Sequence, residues 1–347
     1  MSRKLTFAYP GELSLQTGGY AYDRKLINGL QALGWELNLL PLGDGFPNPA
    51  PEVRHEAERR LSAVPDGTRM LIDGLAFGIL DDWAAREATR LSLFALVHHP
   101  LALETGLGLS EQQTLKSRET RALRFTQHTF VTSPATAREL TAGFGVPESA
   151  ITVALPGTDA APVSPCNGDP PQILSIGTLI PRKGHDVLID ALKQVEDLAW
   201  HATIVGSRTL HAKTAAALDA QVTALGLQER VRLVGVCEDT RALLAKADLF
   251  ALASRYEGFG MVFAEALSQG LPIVACRTGA VPDVVPAAAG LLVPVDDPAA
   301  FAGALRRLLN DKSLHQQMAR AARQAGADLP GWDDTARRVS QSLENRL

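Results

Sequence analysis

The sequence predicts an α/β fold of two doubly wound domains that face each other across a cleft. Short runs rich in Val, Ile, Leu and Phe alternate with longer amphipathic stretches along the whole chain, which is typical of βαβ units and parallel sheets. A length of 347 residues fits two domains that each bury a core. Pro, Gly and small polar residues concentrate between Pro156 and Pro171, which indicates an interdomain linker.

The apolar runs predict six strands in each half of the chain. In the first half they are Lys4 to Tyr9, Glu36 to Pro41, Met70 to Asp73, Leu91 to Val97, Thr129 to Thr132 and Ile151 to Ala154. In the second half they are Gln172 to Ile176, His201 to Val205, Val231 to Val234, Leu249 to Leu252, Pro272 to Ala275 and Leu291 to Val293. Ligands of such sheets bind beyond the carboxyl ends of the strands, so functional residues are expected directly after each run.

Composition and charge exclude several classes of protein. The chain has 34 Lys and Arg against 38 Asp and Glu, without the basic surplus of a nucleic-acid-binding protein. No apolar run approaches the ~18 residues of a membrane span, and the first residues lack the apolar stretch of a secretory signal, so we expect a cytoplasmic protein. The 3 Cys residues are widely separated, which supports neither a disulfide framework nor a zinc site.

The segment from Ala253 to Leu267 carries the strongest functional pattern. It follows a predicted strand, and Gly258 and Gly260 allow a tight turn into a helix. The free amides at the start of that helix favour a phosphate or another oxygen-rich ligand. Glu257 and Glu265 bracket this helix start, and carboxylates there are suited to accept hydrogen bonds from the hydroxyls of a sugar or a ribose.

A second pattern follows the strand that ends at Ile176. Arg182 and Lys183 lie in the loop between this strand and a helix predicted to begin near His185. A guanidinium beside an ammonium suits a pyrophosphate, and we expect the Lys183 side chain at the open mouth of the cleft.

These motifs resemble those of the family 4 nucleotide-sugar glycosyltransferases, which have the GT-B fold of two Rossmann-like domains and retain the anomeric configuration. The resemblance rests on Gly-Thr-Leu-Ile-Pro-Arg-Lys-Gly-His-Asp after Ile176, on seven residues between Glu257 and Glu265, and on Glu-Ala-Leu-Ser-Gln-Gly-Leu-Pro beginning at Glu265. It implies that Glu257 contacts the donor sugar and that Glu265 contacts the nucleotide ribose. It also implies an acceptor-side domain over 1–160, a donor-binding domain over 161–330, and a last helix in 331–347 that crosses back to the first domain.

The resemblance implies further donor contacts in the second half. Lys183 matches the diphosphate lysine of the family. Many members place the diphosphate arginine directly after the strand-end glycine, where this chain has Thr178, so we assign that role to Arg182. The remaining donor-binding residues implied here are the strand-end Gly177 and the loop residues Gly258, Phe259, Gly260 and Met261.

In the first half, Gly18 and Gly19 follow the first strand, where the family brings a loop and a helix start close to the donor phosphate. His98 ends a strand and matches the histidine that contacts the donor sugar in the family. Adjacent residues of an extended chain face opposite sides, so either His98 or His99 faces the donor, and we assign His98.

The predicted function is a retaining glycosyltransferase that moves a sugar from a nucleoside-diphosphate sugar to a hydroxyl acceptor. The catalytic residues would be His98, Glu257, Lys183 and Arg182. The sequence has no Asp-x-Asp metal motif, so we expect neither a metal nor a cofactor besides the donor substrate. The alternatives are a nucleotide-sugar epimerase or phosphorylase of the same fold, and an inactive sugar-nucleotide-binding protein.

The expected partners are a nucleotide-sugar donor and a hydroxyl acceptor, which would be a glycan, a lipid-linked molecule or a small molecule. No nucleic acid is expected. Four basic residues form one face of a predicted helix in the first domain: Lys116, Arg118, Arg121 and Arg124. Because Glu111 and Glu119 interrupt this face, a solvated helix is favoured over peripheral membrane contact.

Overall fold

The computed structural model describes residues 3–346. Internal contacts divide the chain into two compact units. Unit 1 comprises the residues up to Gly157 together with the segment from Pro330 onward, and unit 2 runs from Thr158 to Leu329.

Parallel strands and helices alternate along the described chain. The strands are β1 (Lys4–Tyr9), β2 (Glu36–Pro41), β3 (Arg69–Asp73), β4 (Ser92–Val97), β5 (His128–Val131), β6 (Ile151–Val153), β7 (Gln172–Ile176), β8 (His201–Val205), β9 (Val231–Leu233), β10 (Leu249–Leu252), β11 (Ile273–Cys276) and β12 (Gly290–Val293). The helices are α1 (Gly18–Ala32), α2 (Pro51–Ser62), α3 (Gly74–Phe77), α4 (Asp81–Glu87), α5 (Leu109–Leu123), α6 (Pro134–Phe144), α7 (His185–Lys193), α8 (Ala212–Ala224), α9 (Thr240–Leu244), α10 (Met261–Ser268), α11 (Val281–Val284), α12 (Pro298–Asn310), α13 (Lys312–Ala327) and α14 (Trp332–Glu344). Every predicted strand is confirmed, with ends that differ by no more than one residue.

Unit 1 is built on a parallel sheet in the order β2-β1-β3-β4-β5-β6. Its central strands are buried on both faces, which is why they read as continuous apolar runs in the sequence. Phe7, Leu71 and Phe94 on three neighbouring strands have no exposed surface. The chain continues from β1 to β2 on one side and to β3 on the other, so the direction of winding reverses between β1 and β3.

Unit 2 has a second parallel sheet, in the order β12-β11-β10-β7-β8-β9. Its core lies between this sheet and its helices and includes Trp200, Phe301 and Leu188. From β7 the chain winds outward through β8 to β9, and it returns to the other side of β7 at β10. The winding therefore reverses between β7 and β10.

The last helix, α14, packs against α1 within unit 1. A Cβ atom on Gly29 of α1 would lie 2.5 Å from the Cβ of Ala336, so the glycine permits the close approach of the two helices. Trp35 donates a hydrogen bond from Nε1 to Ser340 Oγ at 2.9 Å. Helix α14 is thus an integral part of unit 1.

The segment from Pro156 to Pro171 was predicted as an interdomain linker, but unit 2 begins at Thr158 and includes most of this segment, so the prediction is wrong for residues 158–171. The backbone amide of Ser164 donates to Gln269 O at 2.8 Å. The amide of Gly168 donates to Asp248 Oδ1 at 2.8 Å. Asp248 is 3% exposed, and the amides of Gly168 and Gln172 donate to its buried carboxylate.

The basic face of α5 is not simply solvated. Arg118 and Arg121 both form ion pairs with Asp81, at 3.0 and 3.1 Å. Lys116 Nζ lies 5.6 Å from the centroid of the Phe144 ring. The two ion pairs with Asp81 neutralise part of the charge that a membrane surface would attract. No helix within residues 3–346 has both the length and the apolar character needed to cross a membrane.

Candidate functional site

The point where winding reverses is the natural ligand crevice of a doubly wound sheet, because the two loops leave the strand ends in opposite directions. In unit 2 these loops follow β7 and β10. The amide of Arg255 donates to Arg182 O at 2.8 Å, so the loops are directly joined. Gly184 has a positive φ of 61°, and a Cβ there would lie 2.0 Å from Ala253 O. Only glycine allows the two strand ends to come this close.

The carboxylate of Glu257 is buried at this junction. Only 5% of its side chain is exposed, against 14% for Lys183. Glu257 Oε1 accepts hydrogen bonds from Lys183 Nζ at 2.7 Å and from Ser254 Oγ at 2.6 Å. Arg182 Nη1 lies 3.8 Å from Oε2. Two cations from the β7 loop therefore surround one acid from the β10 loop.

This arrangement corrects one expectation from the sequence. Lys183 was expected at an open mouth, but it is mostly buried and already paired with Glu257. Burial raises the pKa of Glu257, but the charges of Lys183 and Arg182 more than offset burial, and the pKa is lower than usual. Glu257 is therefore ionised at neutral pH, and Lys183 is held by it.

A third strand end is fixed to Glu257 through its backbone. Glu257 O accepts a hydrogen bond from the amide of Ala280 at 2.9 Å. A Cβ on Gly279, which follows β11, would lie 2.2 Å from the same oxygen. The carboxyl ends of β7, β10 and β11 therefore all meet at this residue.

The helix α10 begins beside Glu257. Its N-cap is Gly260, with a left-handed φ of 84°, and no side chain caps the first turn. Phe259 is 7% exposed and anchors the turn. Beside it lie Gly258 and Met261, both partly buried. The amides at this helix start are suited to an anionic oxygen ligand.

Glu265 and Gly177 occupy different surroundings. Glu265 lies one turn inside α10. Burial raises its pKa, the charge of Arg241 lowers it, and the charge of Asp159 raises it further. Gly177 O accepts a hydrogen bond from His185 Nε2 at 3.1 Å, which fixes the strand-end turn. Burial keeps the pKa of His185 at about 4, so this ring is a neutral structural donor.

In unit 1, the predicted residues gather where winding reverses between β1 and β3. A Cβ on Gly19 would lie 3.6 Å from His98 Cδ2, so the start of α1 is adjacent to the ring. Gly18, the first residue of the helix, borders open space. His98 Nε2 lies 3.1 Å from Asp23 Oδ1 and 3.6 Å from Asp73 Oδ2.

The neighbouring His99 has a different partner, because its Nε2 lies 3.3 Å from Glu104 Oε2. The structure thus places His98 rather than His99 in the cluster beside Gly19.

Asp23 and Asp73 are polar residues of this cluster that the sequence analysis did not single out. Asp73 directly ends a strand, and Asp23 lies one turn inside the helix after the glycine pair, so a search of all strand ends could have found the first. Within residues 3–346, the donor atoms of Asp23, Asp73 and His98 lie within 4.8 Å of one another, the spacing at which a divalent cation could be held. The 3.1 Å separation of Nε2 and Oδ1 is that of a hydrogen bond.

Comparisons with known families agree with this architecture. Residues 158–325 match the family described as glycosyl transferases group 1. The matched segment covers nearly all of unit 2, including the Glu257 and α10 region.

Relatives and solved structures of the same class are also similar. The chain is 32% identical over 152 residues to the lipopolysaccharide core biosynthesis glycosyltransferase LpsE of Rhizobium meliloti, covering 44% of this chain and 43% of that protein. It is 32% identical over 235 residues to a D-inositol 3-phosphate glycosyltransferase of Kineococcus radiotolerans, covering 57% and 52%. The chain thus spans about half the length of the curated relatives that it matches.

Several solved structures match nearly the whole chain. The sucrose-phosphate synthase of Thermosynechococcus elongatus has a TM-score of 0.84 at 21% identity, with 99% of both chains covered. Anabaena HepE in complex with UDP and glucose has a TM-score of 0.76 at 18% identity, with 98% and 99% covered. The fold is therefore GT-B. The match to the glycosyl transferases group 1 family is confined to unit 2.

The buried ion pair generates a stability prediction. Replacing Lys183 by Met leaves Glu257 buried without its closest cation, so we expect the free energy of unfolding to fall by about 1–3 kcal/mol at pH 8. Loss of Lys183 lets burial raise the pKa of Glu257. Protonation then relieves the unpaired charge, so the deficit should shrink as the pH falls towards 5. Urea unfolding at both pH values measures this.

The matched control is Lys193→Met. Lys193 pairs with Glu196 in the same unit, but both side chains are well exposed, so its loss should change stability by about 0.5 kcal/mol or less. A deficit for Lys183→Met that equals the control, or that is the same at pH 5 and pH 8, would show that Glu257 does not depend on Lys183.

Proposed function

We propose that the protein transfers a sugar from a nucleoside-diphosphate sugar to a hydroxyl acceptor. The observation that carries this proposal is the junction of the β7 and β10 loops, where two cations, a buried carboxylate and an uncapped helix start lie together. A diphosphate needs cations and amides, and a sugar needs a carboxylate that accepts its hydroxyl hydrogens. A nucleotide sugar presents both groups in one molecule.

Each predicted residue has a role in this scheme. Arg182, Lys183 and the amides from Gly258 to Met261 would bind the diphosphate. Glu257 would accept a hydrogen bond from a sugar hydroxyl, and Glu265 would accept one from the ribose. Gly177 would allow close approach of the diphosphate to the end of β7.

The pairing of Lys183 with Glu257 would prepare the lysine for the diphosphate. When the diphosphate arrives, Lys183 can donate to a phosphate oxygen while keeping a hydrogen bond to Glu257, because an ammonium has three donors. The carboxylate holds the cation in place before the ligand binds, so little side-chain entropy is lost on binding.

In unit 1 we assign His98 the contact with the donor sugar, and Gly18 and Gly19 the close approach of the helix start to the ligand. The side chain of His98 is a fifth exposed, so part of it is accessible to a ligand.

The relatives support the reaction class. One is named a lipopolysaccharide core biosynthesis glycosyltransferase, and another a D-inositol 3-phosphate glycosyltransferase. HepE, which has the same fold, was solved with UDP and glucose. We infer a hydroxyl acceptor in glycoconjugate or polysaccharide synthesis for this chain, and a nucleoside-diphosphate sugar as substrate rather than a resident cofactor.

For the chemical step we propose transfer with retention and without a metal. The bond between the anomeric carbon and the leaving phosphate oxygen breaks, and the acceptor oxygen bonds to the same face. The proton of the acceptor hydroxyl passes to the leaving phosphate oxygen. Arg182, Lys183 and the helix start would stabilise the charge that develops on the diphosphate.

Replacing the two glutamates should have different effects on nucleotide binding and on turnover. Glu265→Gln should weaken binding of the nucleoside diphosphate by about 1.5–3 kcal/mol, because the ribose contact is made in the bound state. Glu257→Gln should leave that affinity nearly unchanged, since the glutamine carbonyl can still accept a hydrogen bond from Lys183 and hold it in place, and should lower kcat because the sugar contact matters in the transition state. Calorimetry with UDP and GDP, and transfer kinetics, separate these effects.

Glu196→Gln, at an exposed acid of the same unit, serves as the control and should change neither quantity. Equal weakening of diphosphate binding by both site variants would contradict the division of roles. Tight binding without transfer to any hydroxyl acceptor would indicate a binding protein instead.

The metal-free retaining mechanism has its own test. Transfer should persist in excess chelator, because the cations of unit 2 take the place of a divalent ion, and the product should keep the anomeric configuration of the donor sugar. Anomeric coupling constants measured by NMR report the configuration. Loss of transfer in chelator with recovery on adding Mg²⁺ or Mn²⁺ would refute the first half, and an inverted product the second.

A further inference from the structure

Arg255, which follows β10, is engaged at every nitrogen of its guanidinium. Nη1 and Nη2 donate to the two carboxylate oxygens of Asp186 at 3.0 and 2.7 Å. Nε donates to Asp296 Oδ1 at 2.7 Å, and Nη1 also donates to the backbone oxygen of Pro181. These three partners lie in the first turn of α7, in the loop after β12 and in the loop after β7.

The main chain of Arg255 makes two further contacts. Its amide donates to Arg182 O at 2.8 Å, and its oxygen accepts a hydrogen bond from Thr278 Oγ1 at 2.8 Å. Arg255 therefore holds the short 3₁₀ turn Pro181–Lys183 at two successive carbonyls, one through its side chain and one through its amide. The hydrogen-bond geometry of a 3₁₀ turn is poor, so the position of this turn depends on such outside contacts.

The turn carries both cations that we assign to the diphosphate. Arg182 and Lys183 are adjacent in the sequence, and their side chains converge on Glu257. Two like charges at this distance repel each other, so the backbone that carries them has to be held in place. Arg255 supplies that anchor.

Arg255 itself is not available to a ligand in the way that the two cations are. Four of its five N–H groups are donated within unit 2, and 23% of its side chain is exposed. Burial raises the pKa of Asp186, but the hydrogen bonds and the charge of Arg255 outweigh burial, and the pKa is lower than usual. The charge of Arg255 is therefore balanced by its own acids at neutral pH.

We propose that Arg255 is a positioning residue for the diphosphate: it fixes the turn Pro181–Lys183 so that Arg182 and Lys183 present their donors together, and it does not touch the ligand. The identity of the ligand, a nucleoside diphosphate, rests on the proposed function. The hold of Arg255 on the turn is a property of the chain without ligand, so the two can be tested separately.

The first test is hydrogen–deuterium exchange of the full chain without ligand, in the unaltered protein and in Arg255→Gln. The amides of Lys183 and Gly184 close the turn through hydrogen bonds to Ile180 O and Pro181 O, at 3.1 and 3.2 Å. We expect exchange in residues 177–185 to be about tenfold faster in the variant.

Arg255→Gln should fold, because the two acids that it leaves behind do not become buried charges. The side chains of Asp186 and Asp296 are 47% and 56% exposed, so water can hydrate both carboxylates.

The matched control is Arg306→Gln. Arg306 forms the same type of bidentate pair, with Asp197 at 2.7 Å on both oxygens, and donates to Gln194 O at 2.8 Å. These partners follow the end of α7, so the control should change neither the exchange of residues 177–185 nor the affinity for a ligand.

The second test compares UDP and GDP with uridine and guanosine in calorimetry or competition. Arg255→Gln should weaken binding of the diphosphate by about 10- to 100-fold and leave the affinity for the nucleoside unchanged, because the nucleoside has no phosphate for the turn to bind. In the Lys183→Met background the same substitution should cost less diphosphate affinity, since one of the two cations that Arg255 positions is gone.

Unchanged exchange of residues 177–185 in Arg255→Gln would overturn the inference. Equal losses of affinity for the diphosphate and the nucleoside would also overturn it, because they would indicate a general disturbance of the site. If the turn exchanges faster but the unaltered chain binds neither UDP nor GDP, the proposed function fails, and Arg255 is an anchor of the turn without a role in diphosphate binding.

Discussion

The buried carboxylate of Glu257 is the group on which the ligand-facing edge of unit 2 depends. An acid this far from water is stable only with cations and hydrogen-bond donors around it, and those partners come from separate loops. Lys183 and Arg182 come from the β7 loop and Ser254 from the β10 loop. Through its backbone oxygen, Glu257 also holds Ala280 of the β11 loop. One residue thus joins three strand ends.

Unit 1 has a second cluster of buried polar side chains. There Nε2 of His98 lies 3.1 Å from Asp23 Oδ1 and 3.6 Å from Asp73 Oδ2, and these two acids come from α1 and from the end of β3. Both clusters lie where the winding of a parallel sheet reverses, so the fold supplies the crevice and the paired charges fix the loops around it. The consequence for chemistry in unit 2 is a held hydrogen-bond donor, the Lys183 ammonium, which is oriented before a ligand arrives.

The strands could be predicted from the sequence because they are buried on both faces and therefore appear as local apolar runs. The helix starts at His185 and Met261 could also be predicted locally, because a glycine directly precedes each of them. Tertiary pairing could not be predicted in this way. Lys183 and Glu257 are 74 positions apart, and Asp23 and His98 are 75 apart. Nothing in the local pattern shows that a cation predicted for a ligand is already engaged by an acid.

The central claim is that the loops after β7 and β10 form one nucleotide-sugar site. Hydrogen–deuterium exchange of the full chain with and without UDP or GDP tests it most directly. Bound nucleotide should slow exchange in residues 177–185 and 253–265 together, while the peptide covering α12, Pro298–Asn310, stays unchanged. Saturating nucleotide that leaves both loops unprotected, or that protects only one of them, would contradict the account.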